Sequence, residues 1–355
     1  MTILKYLSLF GILFFLSACS TVSYYGQSVK GHLSLMSKQQ PINALLADKK
    51  VSKQRKSDLA LVQEIRAYAY DRLKLPKNGS YAKFVELDRK AVTWNLVVNP
   101  KYSMTPSQWC FPIIGCISYK GYFSENKARS EAKKLMKQGY DVYVAESAAY
   151  STLGWFNDPV VSTMLDHGII LTAETIFHEL AHQQVYHKSD SDFNEAFATA
   201  VGQAGTRLWL KEKHPKSLPF YEEHLQKQQQ FIQLILDTSA DLKALYKIKM
   251  ENSETEKGKQ KILQELKTNY AKLKRSWKGD TRYDAWFDKP VNNARLALMG
   301  VYYEKIPDFA RQLQAYDYDF ARFYTEMEKM KKLSKKEREK LLSQSNRLVI
   351  ADIKK

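Results

Sequence analysis

Apolar residues recur along this chain at two spacings, and the changes from one to the other mark its organisation. Leu33, Leu35, Met36, Ile42, Leu45 and Leu46 fall at a loosely helical spacing behind a polar stretch. From Ser57 to Leu75 the positions Leu59, Leu61, Val62, Ile65, Tyr68 and Leu73 describe one helical face, which Pro76 and Asn78-Gly79 end. The period then shortens. Trp94, Leu96 and Val98 alternate with Asn95 and Val97, and Asn99-Pro100 closes that run as a strand end. Ile113 to Ile117 and Tyr119 to Phe123 are further short apolar pieces. Ser124 to Gln138 predicts a helix, with Ser124 as its cap, a stripe of Ala128, Ala132, Leu135 and Met136, and Gly139 as its stop. Asp141 to Ala149 returns to alternation.

The rest of the chain is helical in pattern. Thr172 is the expected cap of a helix running to about His187, and Asn194 to Leu210 forms a second helix with enough small residues to pack closely on the first. Pro215 and Pro219 bound a loop, and Tyr221–Met250 and Glu256–Trp277 read as two long charged helices, an antiparallel pair within residues 220–278. Asn292 to Tyr303 and Phe309 to Phe323 continue helically around Pro307, and Met327 to Lys355 is a lysine-rich end whose last residues are expected to fray. The fold class is α+β, mainly helical: a small sheet packed on one helix, followed by a helical C-terminal part that contains the long pair.

The N-terminus changes the picture of where the chain works. Met1 to Lys5 is a short basic start and Tyr6 to Phe15 an apolar run too short to span a bilayer, the pattern of a signal peptide. It ends in Leu16-Ser17-Ala18-Cys19, which resembles the lipobox of bacterial lipoproteins. That resemblance implies cleavage before Cys19 and lipidation of Cys19. With Ser20 next, it also implies attachment to the outer membrane facing the periplasm. The expected division is a signal peptide over 1–18, a lipid-anchored tether and first helix over 19–50, and one domain over 51–355. Cys110 and Cys116 then remain, flanking a small loop through Pro112 and Gly115. In an oxidising compartment an even pair of this kind is expected as a disulfide; a metal pair would need further Cys or His nearby, and that stretch has none.

Lysine and arginine exceed aspartate and glutamate enough to give a formal charge of +17. Lysines on solvated helix faces account for most of it. No RNA-binding signature or zinc-finger spacing accompanies the charge, so nucleic acid is not an expected partner.

The candidate chemistry lies in Phe177-His178-Glu179-Leu180-Ala181-His182 with Asn194-Glu195-Ala196-Phe197-Ala198. Positions i and i+4 of a helix share one face, so His178 and His182 present two imidazoles to one point, with Glu179 placed as a general base. Catalytic zinc usually takes three protein ligands, and Glu195 is the candidate third. A carboxylate on a buried face without a cation would be costly.

These residues resemble the gluzincin zinc metallopeptidases, whose HExxH helix and downstream glutamate supply two His and one Glu to a single Zn²⁺. The fuller set resembles the bacterial predicted-aminopeptidase family of lipoproteins. It comprises the lipobox, Trp109-Cys110-Phe111-Pro112 through Cys116, Tyr119-x-Gly121-Tyr122-Phe123, Ser151-Thr152-Leu153-Gly154-Trp155-Phe156 and Asn292-Asn293-Ala294-Arg295. The resemblance implies a zincin-like fold and zinc-dependent hydrolysis of peptide substrates. In that scheme His178, His182 and Glu195 are metal ligands and Glu179 is the general base. Tyr303 is the preferred oxyanion donor, ahead of Tyr302 and His187. Where several gluzincins carry an aspartate behind a zinc histidine, this chain has Thr199, so Asn194, Glu174 or Asp192 is expected to complete the support. Glu146 is the candidate acid for a substrate amine, and the 150–159 segment a candidate substrate-facing stretch. Two other readings fit the same residues: an amidase acting on cell-wall peptides, and a non-catalytic binding or assembly lipoprotein using the long helix pair.

Overall fold

The structure is a computed structural model and describes residues 22–111 and 115–344; the signal segment, Cys19 and the residues after 344 lie outside them. Residues 22–37 form helix α1. β1 (Gln40–Pro41), α2 (Ile42–Ala47), α3 (Lys53–Asp71), β2 (Lys83–Val85) and β3 (Thr93–Asn99) follow. Next come β4 (Trp109–Phe111), β5 (Gly115–Ile117), β6 (Lys120–Tyr122), α4 (Glu125–Lys137), β7 (Asp141–Ser147), β8 (Val160–Val161) and α5 (Ser162–Leu165). The remainder is helical: α6 (Ile169–Gln184), α7 (Ser191–Lys213), α8 (Leu218–Leu245), α9 (Asn252–Ser276), α10 (Asp284–Phe287), α11 (Asn293–Tyr303), α12 (Ile306–Ala315), α13 (Phe320–Lys329) and α14 (Lys335–Leu342). The fold is mainly helical α+β, as the periodicities predict.

Where one small sheet is expected, the described residues form three. In the antiparallel sheet β6-β3-β7, β3 is central, with Leu96 opposite Val144 and Trp94 opposite Tyr122. One face meets α4 through Ala128 and Ala132; α11 also packs on β3 and β7. Cover on both sides is why Val97 is buried along with Leu96 and Val98. A second sheet, β1-β2-β8, puts Phe84, Val85, Val160 and Val161 into the main core with Leu59 and Ile65 of α3 and Phe177 and Leu180 of α6. The third is the β4–β5 hairpin, in which Cys110 lies opposite Cys116 and is joined to it by the expected disulfide. α8 and α9 pack together, and Phe231, Ile235, Leu263 and Leu266 form a second core that includes Leu296 of α11.

Several boundaries differ from expectation, each for a local reason. α6 begins at Ile169, because Gly168 turns the chain with φ +85°, and Thr172 is inside the helix, its hydroxyl donating to Met164 O and Gly168 O. The same helix stops at Gln184, short of His187, and α7 starts at Ser191, ahead of Asn194. Pro219 sits in the first turn of α8 and Pro307 in that of α12, where a missing N–H costs nothing. Phe309 to Phe323 is two helices, not one. Asp317 and Tyr318 adopt φ near +55° and +58°, and Asp319 caps the second by accepting from Arg322 N. Within the basic end, a Ser334–Glu337 capping box starts α14, which buries Arg338 and Leu342; the last residues, expected to fray, lie outside the described ones.

α6 and α7 are joined by a short loop and run antiparallel with their small residues facing. A methyl at Gly202 would stand 2.9 Å from the Glu174 carbonyl oxygen and 3.4 Å from His178 Cβ. Gly202→Ala is therefore expected to cost about 1–3 kcal/mol, read as a lower denaturant midpoint with an unchanged slope. Full wild-type stability in that variant would mean the helices have room to separate.

Candidate metal centre

Three rungs of the α6–α7 pair set the site. His182 faces Glu195, His178 faces Thr199, and Glu174 faces Gly202, so stepping back along one helix steps forward along the other. The connecting loop is held from four directions. Asn194 accepts from His187 N and donates to His187 O, both at 2.8 Å. The His187 ring reaches Met327 O of α13 at 3.0 Å. Asp190, 2% exposed, takes Arg338 of α14 at 2.5 Å. Cys116 N donates to Ser189 Oγ at 3.1 Å, an approach that Gly115 permits, since a side chain there would strike Ser189 and Lys188.

The Nε2 atoms of His178 and His182 stand 3.0 Å apart, and Glu195 Oε2 lies 3.4 Å from the first and 3.5 Å from the second. Tetrahedral zinc with nitrogen and oxygen donors at about 2.0–2.2 Å spaces those donors roughly 3.3–3.6 Å apart. The triangle fits one ion, and these three residues can hold a metal. His182 and Glu195 are buried, whereas His178 and Glu179 are partly exposed, so one side of the triangle is open.

Charge reinforces the arrangement. Burial would raise the Glu195 carboxyl, but His182 and His178 outweigh it and hold it down to about 2. Burial would lower His178, but its hydrogen bond to Glu195 and the carboxylates of Glu179 and Glu195 push it above its ordinary value. Residues 23–342, nearly the whole described chain, match the family model described as "Putative aminopeptidase". The chain belongs to this family. No curated protein and no solved structure shows a significant match to it. The family's description points to a peptidase, and the donor triangle is the group among the described residues that could hold a metal.

The other expected residues are distributed around that centre unevenly. Thr199 Oγ1 lies 3.3 Å from His178 Nδ1, while His182 Nδ1 is buried with no hydrogen-bond partner among the described residues. Glu174 is raised by burial, takes the Tyr221 hydroxyl at 2.5 Å, and interacts electrostatically with His178. Asn194 holds the loop through the His187 backbone. Asp192 turns outward to Lys335 at 2.8 Å, so it does not support the metal ligands. His187 packs on Phe193 with tilted rings and places its Nε2 on Met327 O, as part of the loop between α6 and α7. Glu146 is exposed on β7.

Tyr303, the preferred oxyanion donor, and Tyr302 sit in different surroundings. Burial raises both phenols. The carboxylate acting most strongly on Tyr303 is Glu174, whereas on Tyr302 it is Glu195, with Tyr119 and Glu179 next. Tyr119 was missed as a site residue. Burial raises it too, Glu195 and Glu179 are the strongest charges on it, and its phenol interacts with that of Tyr302. The signal was the Tyr119-x-Gly121-Tyr122-Phe123 motif itself, whose first tyrosine stands between β5 and β6. Asn292-Asn293-Ala294-Arg295 carries no chemistry at the triangle; it fixes the helix that brings Tyr302 there. Asn292 donates to Val142 O, Asn293 N donates to Asp141, and the Asn293 amide reaches Lys101 O, each at 2.9 Å.

The 150–159 segment borders the site. Gly154, at φ +82°, lies over Gln183, one turn past Glu179, and Asp158 Oδ2 accepts from Thr152 N at 2.8 Å to close the loop. Asp158 is fully buried, its Oδ1 has no partner among the described residues, and burial pushes its carboxyl up to about 6.

Two outcomes are expected. Thr199→Val removes the hydroxyl behind His178 and weakens metal binding by roughly 10–100-fold, measured by competition with a chelator; unchanged affinity would show that the hydroxyl does not orient the ring. Between pH 3.8 and about 6 the folded chain retains the Asp158 proton that the unfolded chain loses. Wild-type stability thus falls as pH rises through that window, by on the order of 3 kcal/mol. Asp158→Asn should flatten that part of the denaturation profile, and a variant with the same slope would place the titration elsewhere.

Proposed function

We propose that this chain is a zinc-dependent peptidase of gluzincin type that removes residues from the N-termini of peptides. In this reading it is held by lipid on Cys19 at the outer membrane, facing the periplasm. The observation that carries the catalytic part is the donor triangle of His178, His182 and Glu195, open on one side and next in sequence to Glu179. Two imidazoles and one carboxylate suit zinc better than calcium or magnesium, which prefer all-oxygen sites. Bound there, zinc would supply Lewis acidity toward water and the scissile carbonyl.

The chain's own residues do the rest. Glu179, partly exposed beside the triangle, takes the proton of the attacking water and delivers it to the leaving amine. Tyr302, backed by Tyr119, is the donor for the developing oxyanion. Burial holds both phenols well above their ordinary value, so they stay protonated and donate at neutral pH. Thr199 holds the imidazole of His178 at Nδ1, and Glu174 acts on the same ring by charge. The apolar wall behind the triangle, Ile176, Phe177 and Leu180, excludes water from the far side and strengthens these interactions. The lipid anchor rests on the Leu16-Ser17-Ala18-Cys19 sequence.

Glu179→Gln should leave close to one equivalent of zinc in place while lowering kcat/KM roughly 10²–10⁴-fold, assayed on a peptide library with free and acetylated N-termini. A variant that cleaves as fast as wild type would remove Glu179 as the base. A wild type that holds zinc but cleaves nothing in the library would leave a binding module, and cleavage of acetylated peptides would replace the exopeptidase reading with an endopeptidase one.

A further inference from the structure

Two apolar stripes run along α1, and only one of them is used. On the used side Tyr24 meets Tyr122 edge-on with ring centroids 5.4 Å apart, Gln27 Oε1 accepts from Phe123 N at 3.0 Å, Gly31 abuts the Phe123 ring, and Leu35 enters the main core. The other stripe, Val22, Tyr25, Val29 and Leu33, repeats the same helical spacing and is 42–71% exposed. His32, next to it, packs on the Phe156 ring at 4.6 Å, which sets Phe156 and Trp155, 55% and 67% exposed, beside the stripe. Six of the eleven large apolar side chains exposed among the described residues therefore share one region. An apolar patch of this kind on a protein surface marks an interaction face.

What covers it follows from where the chain leads. Val22 is three residues after Cys19, a reach of at most about 10 Å, so lipid on Cys19 would hold the first turn of α1 at the bilayer surface. Exposed lysines Lys30, Lys38 and Lys127 line the groove beside α1. We infer that α1 and the Trp155-Phe156 tip lie flat on an anionic phospholipid bilayer, apolar side chains at the headgroup boundary and lysines toward the phosphates. This rests on the anchor proposed above, not on the catalytic reading. Tryptophan at the tip suits that depth, since its ring is apolar and its N–H stays hydrated.

Trp155 is the one exposed tryptophan among the described residues, which makes the face testable in the full-length lipidated protein. In vesicles of phosphatidylethanolamine and phosphatidylglycerol carrying brominated acyl chains, part of the tryptophan emission should be quenched. Trp155→Tyr should remove that quenched fraction. The double change Val29→Glu and Leu33→Glu should also lose it, while palmitate labelling of Cys19 and peptide hydrolysis in detergent remain at wild-type levels. Equal emission from brominated and plain vesicles that carry the protein would overturn the inference. So would a wild-type dimer in detergent that the double variant turns into a monomer, because a second copy would then cover the face. Absence of palmitate on Cys19 removes the anchor and the inference with it, leaving the peptidase reading to its own assay.

Discussion

A carboxylate buried against two imidazoles is the constraint on which the rest of this structure depends. Glu195 pays a desolvation cost that only nearby positive charge or a cation offsets. That compensation exists only while α6 and α7 stay close enough for one oxygen to reach both Nε2 atoms. The closeness comes from what is missing: Gly202 and the alanines of α7 let one backbone approach the other without side chains between them. The electrostatic and packing requirements are thus the same requirement, written once in charge and once in volume.

The remaining elements serve that pair by fixing its ends. The β4–β5 hairpin, α13 and α14 converge on the α6–α7 loop, and the Asn292-Asn293 cap seats α11 on the central sheet so that its last turn, with Tyr302, arrives beside Glu195. Asp141 is a junction in this support. It accepts from Asn293 N at 2.9 Å and from the buried Lys259 Nζ at 2.6 Å, tying α9 and α11 to the same strand end. The long helix pair buttresses the helix that carries Tyr302.

How much of this was legible in the sequence depended on range. His178 and His182 could be placed on one face because a helix fixes i and i+4 locally, and a short polar turn could bring only the next helix, with Glu195, alongside them. Ser124, Gly139 and the cysteine pair were readable for the same reason. Thr172 was misread because a hydroxyl near a helix start also bonds backward into the preceding turn. The break at Asp317 and Tyr318 left no glycine to announce it. Tyr119 and Arg338 act through partners far along the chain, and no local pattern says which buried tyrosine or arginine will meet them. Tyr302 and Tyr303 differ by rotation of one helix by a single residue, and what each of them meets depends on the seating of α11.

The Asp190–Arg338 pair has a bearing on how the molecule comes into being. It joins residues 148 apart, and the His187–Met327 contact joins residues 140 apart. During synthesis the histidine helix leaves the ribosome long before the arginine that clamps its loop. Until then Asp190 has no guanidinium to bury against, and the loop between the two helices lacks its C-terminal brace. Contacts of such separation form late and raise the entropy that must be lost before they form. A chain cut short before residue 338 would carry every donor of the triangle without the arginine that braces the loop between the two helices.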